Sequence, residues 1–600
     1  MAKPKLVFFA PINDLGLFER YVQQVSSLRD RFDLSVEVGT LLRKHSEELT
    51  DPGDSYLEYS VKNPSFFKFI VPEKLRPYLD TKFAEENLAL MAHKVDVLKK
   101  AGLHAAMYAN EPIYQRDRLY EAFPHWRGPR ADHPRRSRNP IWAPCLLQPE
   151  VADAYRETIA ELCRRFPIFD TFTFLTNDCG SGFCWSTTLY NRPNGPAACR
   201  AAGPAPHVAA FHRAVIEGAR SAGCGVETFM NHIYPDPEPE LCRRVLPEGA
   251  HVLPESGEGA TANLGSAVGR TYPAKGVEDA LGFLGQLESA FGRRPKTILF
   301  RLGVAYEKNY ADFHALDLLL RLLRGYLERP TRTIQDRLAL LEKVAGELYG
   351  KEGGPAMVEA WYELHRAFQV ESVWPRASGM PLYNCVSARW LTRPLVAFPD
   401  RLTPEEERFW LPFVFCGFGE EVRRNLLDFH GGRAADNSTP GRDLQLRDGW
   451  FSQFDGALRR AASAFQAAAE KGVERARVAA RALAVLRCLY RNCRNVIDFA
   501  LLMEKAPARE GMWVLGEKPE GDPERQRVYE IVRTELDNTL ELIGLVEGEG
   551  AQEVIVAAPT PAEEDTFTLS PDLAEQLRRK RAIMLAHWRD FDQSFLPPHL

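Results

Sequence analysis

Six hundred residues exceed one ordinary domain: roughly 150 residues per domain leaves room for about four, or fewer if one is an α/β barrel of about 250. A composition of 45% hydrophobic, 26% charged and 10% aromatic residues excludes wholesale disorder and a fibrous repeat. With 76 Lys+Arg against 81 Asp+Glu, the net charge of -5 supplies no overall basic field for nucleic acid, and no run of about 18 apolar residues predicts a membrane span.

Met1-Ala-Lys-Pro-Lys leads into the apolar run Leu6–Ala10, which Pro11 ends. That run is too short for a signal-peptide core and predicts a first buried strand in a cytoplasmic chain. Further short runs rich in Val, Phe, Leu and Ile follow at Leu34–Val38, Phe67–Val71, His104–Ala109, Thr171–Thr176, Val226–Met230, His251–Leu253 and Thr297–Leu302. They read as parallel strands buried on both faces. Helical spacing separates them: Leu88, Met91, Val95 and Leu98 share a face and Gly102 follows as a stop, and Pro149 opens a helix carrying Val151, Tyr155, Ile159, Leu162 and Phe166. Repeated strand-then-helix over the first half predicts an α/β fold, a (β/α)8 TIM barrel.

From about residue 311 the periodicity becomes helical, at Phe313–Tyr326, Thr333–Tyr349 and Ala356–Phe368, then at Gly456–Glu470, Val473–Glu504, Glu524–Leu545 and near Pro571–Arg589. Strand-like pieces are expected around Leu382–Val386, Trp390–Phe398 and Glu553–Ala558. The predicted organisation is a catalytic barrel over 1–310, a helical and loop-rich extension over 311–450 packed on it, and an α-helical C-terminal domain over 451–600. The eleven cysteines are odd in number and scattered, as at Cys163, Cys224, Cys385 and Cys416, and read as buried reduced thiols. Cys179 and Cys184 form a C-x4-C pair, but no second pair or histidine at zinc spacing accompanies them, so neither metal nor cofactor is expected.

In a barrel, chemistry sits where strands end on the C-terminal face. Asn13 and Asp14 follow the first strand; Asn110-Glu111-Pro112 follows His104–Ala109; Asn177-Asp178 and a glycine-rich loop running to Trp185 follow Thr171–Thr176. Asn231-His232 follows Val226–Met230, Glu255 and Glu258 follow His251–Leu253, and Arg301 and Tyr306 lie within and after Thr297–Leu302. Any one of these alone is more often an ordinary cap or turn residue, and their recurrence at one face is the argument. Paired carboxylates with carboxamides and aromatics suit glycosidic cleavage, which needs an acid for the leaving oxygen and a second carboxylate as nucleophile or base. The chain lacks a G-x-x-x-x-G-K-[ST] phosphate loop, a strand-end G-x-G-x-x-G, a G-x-S-x-G elbow and an H-E-x-x-H motif.

The strand-end Asn-Glu-Pro, the strand-end Asn-Asp with its aromatic glycine-rich loop and the later strand-end Glu resemble barrel glycoside hydrolases. Tyr349-Gly350 leading to Ala360-Trp361 and Leu364 resembles the helical part after the barrel in α-glucuronidase-type and hexosaminidase-type enzymes. If Phe67–Val71 is the third barrel strand, the chain is similar to the large retaining clan, which implies Glu111 as acid/base, Asn110 on the sugar 2-hydroxyl and Glu255 as nucleophile. If Phe67–Val71 lies in an insertion, the chain is similar to family 20 hexosaminidases or family 67 glucuronidases, which implies Asp178 as acid and Glu111 as a binding residue. Family 20 carries Asp-Glu where this chain has Asn177-Asp178, which speaks against acetamido-assisted catalysis. Glu111, Asp178 and Glu255 are therefore the expected catalytic set, with Asn110, Asn177, Trp185, Asn231, His232, Glu258, Arg301 and Tyr306 as substrate-binding candidates.

Five arginines fall between Arg127 and Arg138, which reads as a solvated basic loop or as a clamp for a sugar carboxylate or sulfate. The expected function is hydrolysis of an acidic (uronate or sulfated) or amino-sugar glycan, with a carbohydrate as substrate, no nucleic-acid or membrane partner, and a homodimer within reach of the long C-terminal helices. The competing readings are a non-catalytic glycan-binding barrel or scaffold, and a metal-dependent lyase or isomerase using Asp178 and His232.

Overall fold

Residues 3–48, 54–133, 137, 139–231, 236–265, 271–301, 306–307, 310–372, 388–410, 444–504, 523–548, 550–564 and 568–591 are described in a computed structural model. The chain divides into two compact units: Met1–Ser266 with Gln286–Leu320, and Ala267–Gly285 with Arg321–Leu600.

In the first unit, eight short apolar strands form one parallel sheet: β1 (Lys5–Phe9), β2 (Asp33–Glu37), β3 (His104–Asn110), β4 (Phe169–Leu175), β5 (Glu227–Asn231), β6 (Ala250–Leu253), β7 (Ala262–Leu264) and β8 (Thr297–Arg301). Their order is β6-β5-β4-β3-β2-β1-β8-β7. The first strand therefore pairs with the last, in the register Lys5↔Thr297 to Phe9↔Arg301, and the sheet curls into a (β/α)8 barrel whose two edges are β6 and β7. Residues 254–261 run from β6 to β7 with no intervening helix.

Side chains alternate across each strand. Val7, Phe9, Ala106, Phe229, Leu253 and Leu299 meet as one inner cluster against Tyr108. The opposite faces pack outward: Phe66 and Phe172 lie 5.4 Å apart, and Phe174 and Phe211 4.9 Å apart. The helices that cover this face begin and end where the sequence signals it. In α1 (Leu15–Val25), Asp14 caps the first turn by accepting from the Leu17 amide at 2.8 Å. In α2 (Thr81–Ala101), Asp80 caps the start and Gly102, in the left-handed region at φ 66°, ends the helix. The helix α3 (Pro149–Arg165) opens on proline, and α4 is Ala205–Ser221. At the N-terminal ends of the strands, Lys5 pairs with Asp170 (3.3 Å) and Glu227 (3.1 Å), a ring of charge that ties β1, β4 and β5.

The sequence places all but one of these strands. Phe67–Val71 is not a strand: Phe66–Lys68 is a 3-10 turn whose phenylalanines wedge against Tyr155, Phe172 and Phe174 on the outside of the barrel. An apolar run buried by aromatics has the same composition as a buried strand. The strand it displaces is β7, whose three residues sit in a glycine-rich stretch too short to show a period. His104–Asn110 is thus the third barrel strand and Phe169–Leu175 the fourth, so Asn177-Asp178 follows the fourth.

The second unit is helical. Ile334–Ser372, Leu444–Glu470, Glu474–Glu504, Pro523–Val546 and Leu573–Ala586 pack each against the next. The expected break near Tyr349 is real: Gly350 leaves helical geometry at φ 74°, ψ -174°. Gly354 then passes so close to the preceding arm that a Cβ would meet the Ala345 carbonyl carbon at 3.1 Å. Trp390–Phe398 is not strand-like but opens with the 3-10 segment Ala388–Thr392, and Glu553–Ala558 is half helix (Ala551–Val554) and half isolated bridge. Leu382–Val386 lies outside the described residues.

At the centre of this bundle, buried Lys580 contacts Glu535 and donates to the Leu391 carbonyl at 2.8 Å, while Asn492 and Asn495 donate to the same carboxylate at 2.8 and 2.7 Å. Burial lowers the Lys580 pKa against the pull of Glu535. Removing one partner strands the other charge, so Lys580→Met is expected to cost about 3–5 kcal/mol in urea unfolding, and adding Glu535→Gln to recover much of it. Equal losses in the single and double variants would contradict this.

Candidate active site

Alternation along the strands decides which polar side chains reach the C-terminal mouth. Glu37 ends β2, Tyr108 and Asn110 lie on β3, Thr173 on β4, Asn231 on β5 and Arg301 on β8, each in phase with the inner cluster. The Arg301 guanidinium lies 4.9 Å from the Phe9 ring centroid and 5.2 Å from that of Tyr108. Its Nε and Nη2 are buried and without hydrogen-bond partners among the described residues, as are both side-chain atoms of Asn110. Buried donors left unpaired each cost about 1–3 kcal/mol, so this set is poised for an acceptor.

Glu37 was not among the residues singled out from the sequence. Burial pushes its carboxyl up to about 7, against the charges of Lys94 and Arg301. Burial likewise pulls Lys94 down to about 7, against Glu37. Lys94 is held by Thr40 and Asn13, the latter at 3.3 Å, so the loops after β1 and β2 are fastened behind the carboxyl. The sequence trace of Glu37 is an acidic residue between Val36 and Val38 at the end of a strand.

Asp178 is half-buried at the end of β4. Its Oδ1 accepts from the Cys179 amide (2.7 Å) and from the Tyr190 hydroxyl (3.3 Å). Tyr190, 37% exposed, packs 4.6 Å from His133 and 6.1 Å from Tyr56, which makes an aromatic wall beside the carboxylate. Burial raises the Tyr108 hydroxyl, Arg301 opposes it, and Cys179, Asp178 and Glu37 add smaller upward contributions.

Asn177 has a structural task. It adopts φ 57°, accepts from the Phe183 amide at 2.9 Å, and donates to Ser186 and Thr188 at 2.8 and 2.7 Å. Glu238 closes the knot by accepting from Ser186 Oγ (3.0 Å) and the Thr187 amide (2.7 Å). Trp185 does not face the mouth set: its Nε1 donates to the Pro196 carbonyl at 3.0 Å and its ring packs on Cys145, Cys184 and Cys199.

Glu111 follows the inward Asn110 and so turns away from it. Its carboxylate is fully buried and accepts from the Phe66 amide (2.7 Å), the Ile113 amide (3.3 Å) and the Tyr155 hydroxyl (2.8 Å). Glu255 turns back along the barrel edge, where Oε1 meets His251 Nδ1 at 2.7 Å and Oε2 accepts from the Thr261 amide at 2.9 Å. Although burial opposes it, these partners hold Glu255 down to about 2. Exposed Glu258 pairs with Arg294 beside the N-terminal start of β8, not at the mouth. Glu111, Asp178 and Glu255 are therefore not gathered in one place.

Asn231 ends β5. His232 lies outside the described residues, and Tyr306 is placed only as backbone of the short strand Tyr306–Glu307. Within the arginine-rich segment, Arg130 forks onto Asp132 at 2.6 and 2.8 Å, and Arg127 lies over Tyr120 and Trp142; residues 134–136 and 138 lie outside the described ones. Among the described residues, metal-type clusters occur at Asp33/His104/Asp170, at His45/Glu47/Asp80 and at Cys145/Cys184/His207, and none contains Asp178.

Fold and site thus define a (β/α)8 barrel with a helical C-terminal region and a carboxyl-lined mouth. No sequence family and no curated protein matches the chain. Among solved structures it is similar to a GH138 enzyme targeting pectin rhamnogalacturonan II, with 9% identity and a TM-score of 0.51 over 99% of this chain and 68% of that one. Weaker similarities include the pneumococcal virulence factor StrH (12% identity, TM-score 0.29, 58% and 92% covered) and an α-galactosidase from Lactobacillus brevis (11%, 0.30, 55% and 41%). The first of these likenesses is one of fold.

The environment of Glu111 fixes a pH response. Burial pushes its carboxyl up to about 7, against its three hydrogen bonds. Between the unfolded value near 4.5 and the folded value the native state keeps a proton that the unfolded chain has released. Its stabilisation is therefore full below about 4.5 and is lost as pH rises through about 7, on the order of 3 kcal/mol. Glu111→Gln, which mimics the protonated form, should flatten the fall in Tm between pH 5 and pH 8. Parallel curves for the two proteins would show that the group does not titrate there.

Proposed function

We propose that the first unit is a glycoside hydrolase whose reaction centre is the mouth between Glu37 and Asp178. The observation that carries this reading is the pair of carboxyl groups delivered by different strands, Glu37 buried at the end of β2 and Asp178 half-exposed after β4. A glycosidase needs two such groups in contrasting environments. Glu37, at about 7, retains its proton near neutrality and serves as the acid toward the leaving oxygen. Asp178 serves from the opposite side as nucleophile or water-activating base. The Tyr190 face supplies an apolar platform for a sugar ring, and the Asn110 amide takes a hydroxyl.

Arg301 directs the substrate class. A half-buried guanidinium whose Nε and Nη2 are buried without partners among the described residues suits a carboxylate, which it binds with a geometry that lysine cannot copy. The reading is therefore an enzyme for an acidic glycan, and the fold-level likeness to a pectin-targeting enzyme makes pectic fragments the first substrates to try. In this reading Glu111 and Glu255 are scaffold groups: the first holds Phe66 and Tyr155 to β3, and the second spans the open edge between β6 and β7.

Turnover of a panel of aryl glycosides and pectic oligosaccharides tests the proposal. Asp178→Asn and Glu37→Gln should each lower kcat/KM by about 10²–10⁴ with little change in Tm. The activity of the unaltered protein should fall above about pH 7 as Glu37 loses its proton. Glycan binding without turnover would instead favour a non-catalytic binding barrel. Arg301→Lys should raise KM for carboxylated substrates by about tenfold or more while leaving kcat and neutral analogues nearly unaffected, and an equal effect on neutral analogues would remove the carboxylate role.

A further inference from the structure

The segment after β4 is long and almost without regular structure: between Leu175 and Ala205 only Ala197–Cys199 forms a 3-10 turn. Asp178 sits at its start. Loops of this length rarely hold one conformation on backbone bonds alone. This one converges on a side-chain cluster that the sequence scatters. Cys145 follows the strand Trp142–Pro144, Cys184 lies in the loop itself, Cys199 ends the 3-10 turn, and His207 stands in the first turn of α4.

The four side chains are buried and the three thiols are free. The Cys145 and Cys184 sulfurs and a ring nitrogen of His207 all lie within 4.8 Å of one another. Cys199 Sγ, outside that mutual set, packs on it and lies 3.6 Å from Cys145 Sγ. A disulfide would need about 2.0 Å, whereas two thiolates on one tetrahedral zinc, each at about 2.3 Å, stand about 3.8 Å apart. Among the described residues the fully buried His207 ring has no hydrogen-bond partner outside this cluster, where it lies against Cys145. A buried imidazole that faces only thiols is poorly satisfied, and metal ligation satisfies it together with them.

We propose that Cys145, Cys184, Cys199 and His207 form a structural zinc site that clips the Asp178-bearing loop to the hairpin before it and the helix after it. Three soft thiolates and one imidazole favour zinc over hard cations, and four protein ligands leave no open position, as in a structural site. Gly195, at φ +148°, brings its backbone against Cys184, where a Cβ would come within 3.0 Å of the Cys184 Cβ and 3.3 Å of its sulfur. The Trp185 ring covers one side and carries the Arg200 guanidinium at 5.2 Å, which offsets the net negative charge of three thiolates with one Zn(II). Cys179 stands apart from the cluster, so the C-x4-C spacing visible in the sequence is not the ligand pair.

The full chain, produced without a polyhistidine tag in zinc-supplemented medium and gel-filtered, should carry about one zinc per chain by elemental analysis. Titration with a mercurial reagent should release that zinc as about three thiols react. Exchange into Co(II) should give intense visible ligand-field bands with near-ultraviolet thiolate-to-cobalt charge transfer, the signature of a tetrahedral sulfur-rich site. His207→Cys should keep the metal and shift those bands, Cys199→Ala should lower zinc content several-fold, and Cys163→Ser should leave it unchanged. A zinc content below about 0.1 per chain, no tetrahedral Co(II) spectrum, or a Cys145–Cys199 disulfide by peptide mass spectrometry would overturn the site. None of these readouts depends on turnover.

Discussion

The parallel ladder between Lys5–Phe9 and Thr297–Arg301 is the constraint on which the first unit depends. It joins the beginning of the barrel to its end and fixes the phase of every inward side chain. The register Phe9↔Arg301 sets the guanidinium against the Phe9 and Tyr108 rings and within reach of Glu37. A slip of one residue would turn Arg301 to the outside and leave the Glu37 carboxyl buried without its charge partner on that side. The other rim of the sheet is not laddered: β6 and β7 are its edges, and Glu255 bridges them through His251 and Thr261.

Glutamates of identical chemistry take different tasks because of phase and partners. Glu37 points inward, and burial with two cations nearby leaves it near neutrality. Glu111 also rises to about 7, but every lone pair that matters is taken by Phe66, Ile113 and Tyr155, so its environment fastens a loop and a helix to β3. Glu255 falls to about 2 because a histidine and an amide face it directly. A raised carboxyl is therefore informative only together with the direction in which it points.

The long loop after β4 is where the fold's stability and its chemistry meet. Asn177 and Glu238 knot it through Ser186, Thr187 and Thr188, while Cys184 and Cys199 draw it against Cys145 before it and His207 after it. Beside these anchors Asp178 and Tyr190 stand at the mouth, joined by a 3.3 Å hydrogen bond. A half-exposed carboxylate on an irregular loop acquires a fixed position in this way without a helix or strand beneath it.

The fold class was legible in the chain alone, because buried parallel strands and amphipathic helices carry local periods that composition exposes. The runs at Leu6–Ala10, His104–Ala109 and Thr297–Leu302, and the helix stop at Gly102, needed no tertiary information. The sequence also marked Asp178 and Arg301 as strand-end residues. Which strand is third, which way each strand-end residue faces and which distant residues meet followed from the folded contacts. Phe67–Val71 and the short β7 exchange places because burial by aromatics looks the same as burial in a ladder. Asn110 and Glu111 are neighbours in the chain but lie on opposite faces, since the alternation of a strand separates them. Glu37, and the meeting of Cys145 and Cys184 with His207 and of Cys199 with Cys145, depend on contacts between residues far apart in the chain, and no local pattern encodes such contacts.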